Sequence, residues 1–538
     1  MIFGVEFHKL KNFPDFSSIS FDNGIWKTNN KFDRISKVKK QSHILNPFLA
    51  KNNFRDIFFV FLIIGLIFFA WRGILSLDLR GDSTDYLTDR YNITNWRPHL
   101  YFSFEYGAVL VGGFLSKLFS TNIILYFWTE LVVMLVISVM FYFMAKGITK
   151  RRIVAFFGTI IFSASYFGNF DILSDHCYCF FLERVFWVML LIPSFLLLHY
   201  FLETKKLKYL LISLLLNFLA IGLGRFTVLF TAPFLLYPIF WYLFNRKDIR
   251  EKIKGIVVGL SYLAVSGFII LMQKIFFPGL GPLKWTFLEF LTHPFLYEYP
   301  KRMLLELSYW TQYPSTVGAF DATRYVYDMP RALAMAPYIA IVYVISAIVI
   351  YKRLPKQRAL LFTTMFATLA IFYLNTYFGQ YDVLGQPGSS RYLFLPGIML
   401  AIFWMLFCWS VLINGKRRVI LMVVLLGIYY FFNVGLINNH FKWISVWSGS
   451  AKAVHNHIIS IRPYLKKDTL VVAPYPEIGT WESIFFNEKL GKGEVIFLPD
   501  HNIYPDYVMW EKVASKSAHV IRLRYDKKCP CIVEEILK

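Results

Sequence analysis

The run FFVFLIIGLIFFAW at 58–71 is followed almost at once by RGDSTDYLTDRYNITNWRPHLYF at 80–102. Backbone amides in hydrocarbon have no water to bond, so an uncharged apolar run reads as a membrane-spanning helix that satisfies itself. The second stretch crowds carboxylates, cations and rings where the chain leaves the lipid. It is either a solvated loop or the lip of a reaction site on the far side of the membrane.

The rest of the chain repeats the first pattern. Of 538 residues 57% are hydrophobic and 17% charged, and the apolar residues come in long runs, several near the ~20 needed to cross a bilayer. Spans are predicted near 56–71, 122–145, 153–167, 180–202, 209–222, 227–244, 255–277, 335–351, 359–378, 392–413 and 419–437. The formal charge of +23 points to no nucleic-acid partner, because the cations sit in short loops between apolar runs: KGITKRR, ETKKLK, NRKDIREKIK, YKRLPKQR and NGKRR. That is the positive-inside pattern. It predicts an integral, multi-pass protein of the cytoplasmic membrane, with a cytoplasmic N-terminus and an exoplasmic C-terminus.

Three regions follow: a basic N-terminal extension at 1–55, a transmembrane bundle at 56–438 and an exoplasmic domain at 439–538. No cleavable signal precedes the first span. In the last region DTLVVAPY, TWESIFFNEKL, GEVIFLPD and AHVIRLRY predict strand, helix, strand and strand, a small α/β domain. The fold class is an all-α polytopic membrane protein of about eleven transmembrane helices, with exoplasmic loop helices and this appended domain. Cys177 and Cys179, Cys408, and Cys529 and Cys531 carry no metal or redox spacing, and a disulfide between Cys529 and Cys531 is expected to be strained.

The chemistry-bearing residues fall in the predicted exoplasmic loops. Asp82 and Asp85 follow the first span. A carboxylate there can take the proton of a substrate hydroxyl as that hydroxyl attacks an electrophile. Tyr86, Arg97 and His99 lie close by, and EYGAVLVGGFLSKLF reads as a helix lying in the interface. No second histidine stands at metal-ligand spacing from His99, so no metal site is predicted. Asp175 and His176 occupy a short second loop. Arg391 and Tyr392 open a span at the face where positive residues are disfavoured, and Arg225 stands in a tight turn between two apolar runs. A guanidinium out of bulk water costs desolvation unless paired, and its planar fork suits a phosphate. Glu130 and Glu183–Arg184 lie within predicted spans and should face the bundle interior. WTFLEF, HPFLYEY and LSYWTQYP supply aromatic platforms beside acids, suited equally to a sugar and to an interfacial belt.

Together these features resemble the GT-C superfamily of polyprenyl-phosphate-sugar-dependent glycosyltransferases, which includes protein O-mannosyltransferases and aminoarabinose transferases. The resemblance rests on DSTDY at 82–86, WRPHLYFSFEYGAVLVGGFL at 96–115, Asp175 in the next loop, LGRFTVLF with Arg225, and Arg391-Tyr392 before a Pro-containing span. It covers roughly 56–410. It implies that Asp82 is the general base, that Asp175 assists, and that Arg225 and Arg391 hold the phosphate of a polyprenyl-linked monosaccharide. The acceptor would be a glycan, lipid or protein hydroxyl, membrane lipid would surround the bundle, and the anomeric centre would invert. No cofactor is required, although Asp82 and Asp175 could bind a divalent metal. Two other readings stand beside it: a polysaccharide polymerase or ligase using lipid-pyrophosphate donors, and a transporter of lipid-linked substrates.

Overall fold

A computed structural model describes residues 53–79, 87, 106–166, 181–277, 329–379, 394–412, 416–475, 477–501 and 509–538. Residues 1–57 and 58–538 form separate compact units, and of the first only the opening of helix α1 is described. The apolar runs form helices. In order these are α1 (Asn53–Trp71), α2 (Tyr106–Phe119), α3 (Ile123–Thr149), α4 (Arg152–Ser163), α5 (Phe186–Thr204) and α6 (Leu207–Leu223). Then come α7 (Thr231–Asn245), α8 (Ile249–Phe276), α9 (Met329–Arg353), α10 (Arg358–Gly379), α11 (Phe394–Leu412) and α12 (Lys416–Ile461).

Among the described residues seven helices are long and apolar enough to cross a membrane, or eight if the bent pair α9 and α10 counts as one span. The chain is an integral membrane protein. Two more predicted spans are present as shorter apolar helices, α4 with 12 residues and α6 with 17. α9 and α10 meet at 115°. Pro355 follows Leu354 there, and a proline disfavours helical backbone in the residue before it. α2 has 14 residues and one exposed apolar edge at Leu110, Phe114 and Leu118, as expected of a helix in the interface.

Short turns join α3 to α4, α5 to α6, α7 to α8, α9 to α10 and α11 to α12, and every cationic cluster sits in one of them. On the topology predicted from the sequence these turns share one side of the membrane. Lys150 and Lys205 close α3 and α5 in left-handed backbone, φ 57° and 60°. A cation at a helix C-terminus also meets the negative end of the helix dipole.

The opposite end carries the long connections. α12, with 46 residues, runs on from its apolar section (Arg418–Asn438) into the C-terminal domain without a break. At ~1.5 Å per residue it is about 69 Å long.

The C-terminal domain is a four-stranded sheet of order β2-β1-β3-β4, with β1 (Thr469–Ala473), β2 (Val495–Pro499), β3 (His519–Asp526) and β4 (Cys531–Ile536). β1 pairs in parallel with β2 and β3, and β4 pairs antiparallel with β3. α13 (Thr480–Phe486) links β1 to β2, and α14 (Trp510–Ala514) precedes β3. One face, with Val471, Phe497 and Leu523, joins the core that includes Val454 and Ile458 of α12. The other, with Leu470, Val472 and Val520, packs under α14. β4 was not anticipated, and Cys529 and Cys531 beside it are paired as a disulfide, with Cα atoms 5.2 Å apart.

Candidate functional site

The first span ends in a tight turn, Arg72–Ser76, that several buried contacts hold. The Trp71 indole donates to the Ser163 carbonyl at the end of α4 (2.7 Å). Gly73 lies under the ring of Phe441 on α12, where a Cβ would come within 2.5 Å of that ring, so only glycine fits. Two residues beyond the turn, Asp78 meets His455 of α12. The His455 Nδ1 is 2.9 Å from the carboxylate, and the Leu79 amide donates to the same carboxylate at 2.9 Å.

Asp78 is 0% and His455 2% exposed. A buried carboxylate is costly unless it is paired and hydrogen-bonded; here Oδ1 accepts both bonds, while Oδ2 lies 2.9 Å from the same His455 nitrogen without a hydrogen bond of its own. The other His455 nitrogen, Nε2, is buried without a partner, and the ring stands edge-on to Phe486 of α13 at 4.9 Å. The pair therefore fastens the root of the first long connection to the helix that carries the C-terminal domain. Sequence reasoning missed both residues. An acid inside the otherwise apolar ILSLDL was a usable signal for Asp78, whereas His455 lies 377 residues away and had none.

Asp82, Asp85, Tyr86, Arg97, His99, Asp175, His176, Arg391 and Tyr392 lie outside the described residues, as do the aromatic platforms at 285–314. The backbone of Arg225 is described and opens the 3-10 turn Arg225–Phe230. What the structure defines is where the chain enters and leaves these segments. Leu79 precedes Asp82 by three positions and is held by Asp78. Leu87, next to Tyr86, is fully buried, and its carbonyl accepts the Ser116 hydroxyl of α2.

α2 in turn touches the start of the Arg225 turn. A Cβ on Gly107 would fall 2.1 Å from the Leu223 carbonyl, an approach open only to glycine. Ser116 and Gly107 are nine residues apart on α2, or about 14 Å at ~1.5 Å per residue. The Arg225 turn is closed by Thr227, whose hydroxyl donates to Ala220 and Gly224 carbonyls, both at 2.7 Å.

The remaining flanks join the same group. The Tyr166 amide, the last described before the Asp175 segment, donates to Asn433 of α12 (2.8 Å). Phe162 of α4 packs on Phe394, three positions after Arg391, at 6.0 Å between ring centres. Phe230, at the end of the Arg225 turn, lies beside Ile398 and Met399 of α11. The described residues that flank Asp82, Asp175, Arg225 and Arg391 are thus tied to one another through α2, α4, α11 and α12. Glu130, in the second turn of α3, is 1% exposed, so it faces the interior as expected. Glu183 and Arg184 fall in a π-helical turn, Phe181–Val185, before α5.

A cavity of about 600 Å³ lies between α4, α9, α11 and α12. Its wall is mostly apolar, including Phe162, Trp404 and Leu426, and at one end Ser165, Tyr429 and Asn433 add polar atoms. Leu425 and Ile428 on its rim are 48% and 62% exposed, so it borders the outward surface of the bundle. The Tyr429 hydroxyl donates to the Ile161 carbonyl (3.1 Å) and Asn433 Nδ2 to the Tyr429 carbonyl (2.8 Å). Those polar groups lie one helical turn apart on α12 and next to the exit of α4. Among the described residues no group of three His, Cys, Asp or Glu side chains could hold a metal ion.

No family model matches the chain, and no curated protein matches it in sequence. One similar solved structure is the archaeal oligosaccharyltransferase AglB from Archaeoglobus fulgidus in complex with an inhibitory peptide and a dolichol-phosphate. It is 13% identical, with 88% of this chain and 69% of that chain covered and a TM-score of 0.45. Another is the Archaeoglobus fulgidus oligosaccharyltransferase in the apo form, 11% identical, with coverage of 89% and 70% and a TM-score of 0.47.

Proposed function

We propose that this chain is a membrane glycosyltransferase that moves a monosaccharide from a polyprenyl-phosphate donor to a hydroxyl of a glycan, lipid or protein on the exoplasmic face. The observation that supports this proposal is that the described flanks of Asp82, Asp175, Arg225 and Arg391 are tied to one another through α2, α4, α11 and α12. The apolar cavity between α4, α9, α11 and α12 adds a surface suited to an isoprenoid chain, with its polar end beside the exit of α4.

Asp82 takes the acceptor proton as the new bond to the anomeric carbon forms. The bond to the donor oxygen breaks on the opposite face, and the configuration inverts. The departing polyprenyl phosphate gathers negative charge, which Arg225 and Arg391 stabilise more in the transition state than in the ground state. Asp175 helps to position the acceptor hydroxyl. Anchors on both sides of the Asp82–Tyr86 segment, at Asp78 and at Leu87, favour a carboxylate held in place before substrate arrives.

The test is to give the purified protein in lipid vesicles a labelled monosaccharide on polyprenyl phosphate, and separately on polyprenyl pyrophosphate, with a cell-envelope glycan fraction as acceptor. Transfer from the monophosphate donor is expected. Use of the pyrophosphate alone would favour a polymerase or ligase, and movement of the intact lipid across the membrane would favour a transporter.

A further inference from the structure

The C-terminal domain carries a polar cluster that the transfer chemistry leaves unused. The chain leaves β1 for β2 on one side and then crosses to β3 on the other, as the order β2-β1-β3 requires. At such a reversal the connections diverge, and ligands of open parallel sheets bind outside the carboxyl ends of the strands there. Here one carboxylate ties three strand ends together. The Asp500 amide, just after β2, donates to the Ala473 carbonyl of β1 at 2.8 Å. Asp500 Oδ1 accepts the Tyr475 amide at 2.8 Å, and Asp500 Oδ2 stands 3.7 Å from Arg522 on β3.

Arg522 is only half used. Its Nε is buried without a partner, Asp500 is at the long limit of an ion pair, and its guanidinium carbon is 5.8 Å from the Trp510 ring centre. Two positions along, Arg524 is engaged at 3.0 Å by Glu535. Across Asp500, whose carboxylate accepts its amide, Tyr475 is 37% exposed and its ring meets the His501 ring at 5.6 Å and 63°. A partly exposed guanidinium, a carboxylate that can accept hydroxyls and a ring platform are thus grouped within one edge of the sheet.

That edge looks toward the bundle. Arg462, at the far end of α12, pairs with Glu494 just before β2 (3.9 Å). Nearer the bundle on α12, His457 meets Glu534 of β4 (2.8 Å), whose register partner Leu523 follows Arg522. The parallel strands therefore run back along α12, and their carboxyl ends face the end where Asp78 and His455 pair.

We propose that this edge binds an acidic saccharide: Arg522 takes its carboxylate, Asp500 accepts its ring hydroxyls, and Tyr475 with His501 packs on the apolar face of the ring. On the transfer proposed above the bound saccharide is the acceptor, but binding itself does not depend on that reading.

The experiment is calorimetric titration of the full-length protein in nanodiscs with digalacturonic acid, with neutral galactobiose and an aspartyl dipeptide as comparisons. Digalacturonic acid is expected to bind roughly ten-fold or more tightly than either, since a charge-assisted hydrogen bond is the main difference. Arg522→Gln should weaken it by about ten-fold or more and Tyr475→Ala by severalfold, while Arg524→Gln leaves it unchanged. Arg522→Lys, which keeps the charge and loses the fork, should fall between, and provides the reading if Arg522→Gln does not fold.

No binding of digalacturonic acid, equal binding of galactobiose or the dipeptide, or full affinity in the Arg522 variants would overturn the proposal. Binding without sugar transfer counts against the glycosyltransferase reading alone, and transfer without binding counts against this site alone.

Discussion

Each end of the bundle buries a histidine, and the two are treated differently. At the cationic end, His199 of α5 has Nδ1 2.8 Å from the Tyr237 hydroxyl and Nε2 3.3 Å from Glu203, which Lys150 also approaches at 3.6 Å. Its Nε2, like that of His455, is buried without a hydrogen bond, but it faces the Glu203 carboxylate, and the surrounding turns are short. At the other end, His455 meets Asp78 with one nitrogen and keeps the second buried and unpartnered. Long connections root there, and so do the segments that hold the candidate base and arginines. Under the proposed function, the first end closes the fold and the second carries the chemistry.

The largest test of that division is Asp82→Asn. It should fold and insert normally yet lose transfer by about 10²–10⁴-fold, measured as label moved from the polyprenyl-phosphate donor. Normal transfer would remove Asp82 as the base. Arg391→Gln and Arg225→Gln should each cost roughly 10²–10³-fold in kcat, because each removes a donor to the developing phosphate charge. A loss confined to thermal stability would make them structural cations like those of the opposite end.

Asp78→Asn sharpens the comparison further. If the pair positions the first connection, kcat should fall by up to about 10²-fold in protein that still folds, and His199→Phe should lower the melting temperature without changing kcat. Equal effects of the two variants on kcat would erase the distinction between the ends.

The smallest effect belongs to Lys205. Burial, aided by the nearby Arg246, pushes its ammonium down from 10.5 to about 8, and it lies over the Trp241 and Tyr242 rings at 4.7 and 3.8 Å. Between about 8 and 10.5 the unfolded chain binds more protons at this site than the folded one, so stability should rise with pH across that window. Lys205→Met should flatten the rise, read as melting temperature against pH, and leave transfer unchanged.

Much of the bundle was legible in the sequence because its rules are local. An apolar run must form a helix in lipid, and a cationic turn marks one face, so α3, α5, α7, α8 and α11 could be read directly. Local patterning also exposed β1, β2 and β3. β4 was hidden: CIVEEI alternates poorly and has acids in the middle, as suits an exposed edge paired on one side only. The Asp78–His455 pair was hidden for a different reason, since its two halves come together only when α12 folds back beside the first span. The acids and arginines chosen as site residues were visible as charges out of place. Their common side of the membrane was an expectation from the cationic loops, whereas the fastenings of the residues that flank them, Leu87 on Ser116 and Gly107 on Leu223, needed the tertiary structure.

The most direct measurement is an experimental structure of the protein with a polyprenyl phosphate bound. The phosphate is expected at the end opposite the cationic turns, within hydrogen-bonding reach of Arg225 and Arg391, at about 3 Å, with the Asp82 carboxylate facing the sugar position. A phosphate among the cationic turns, or an Asp82 turned away from both arginines, would contradict it.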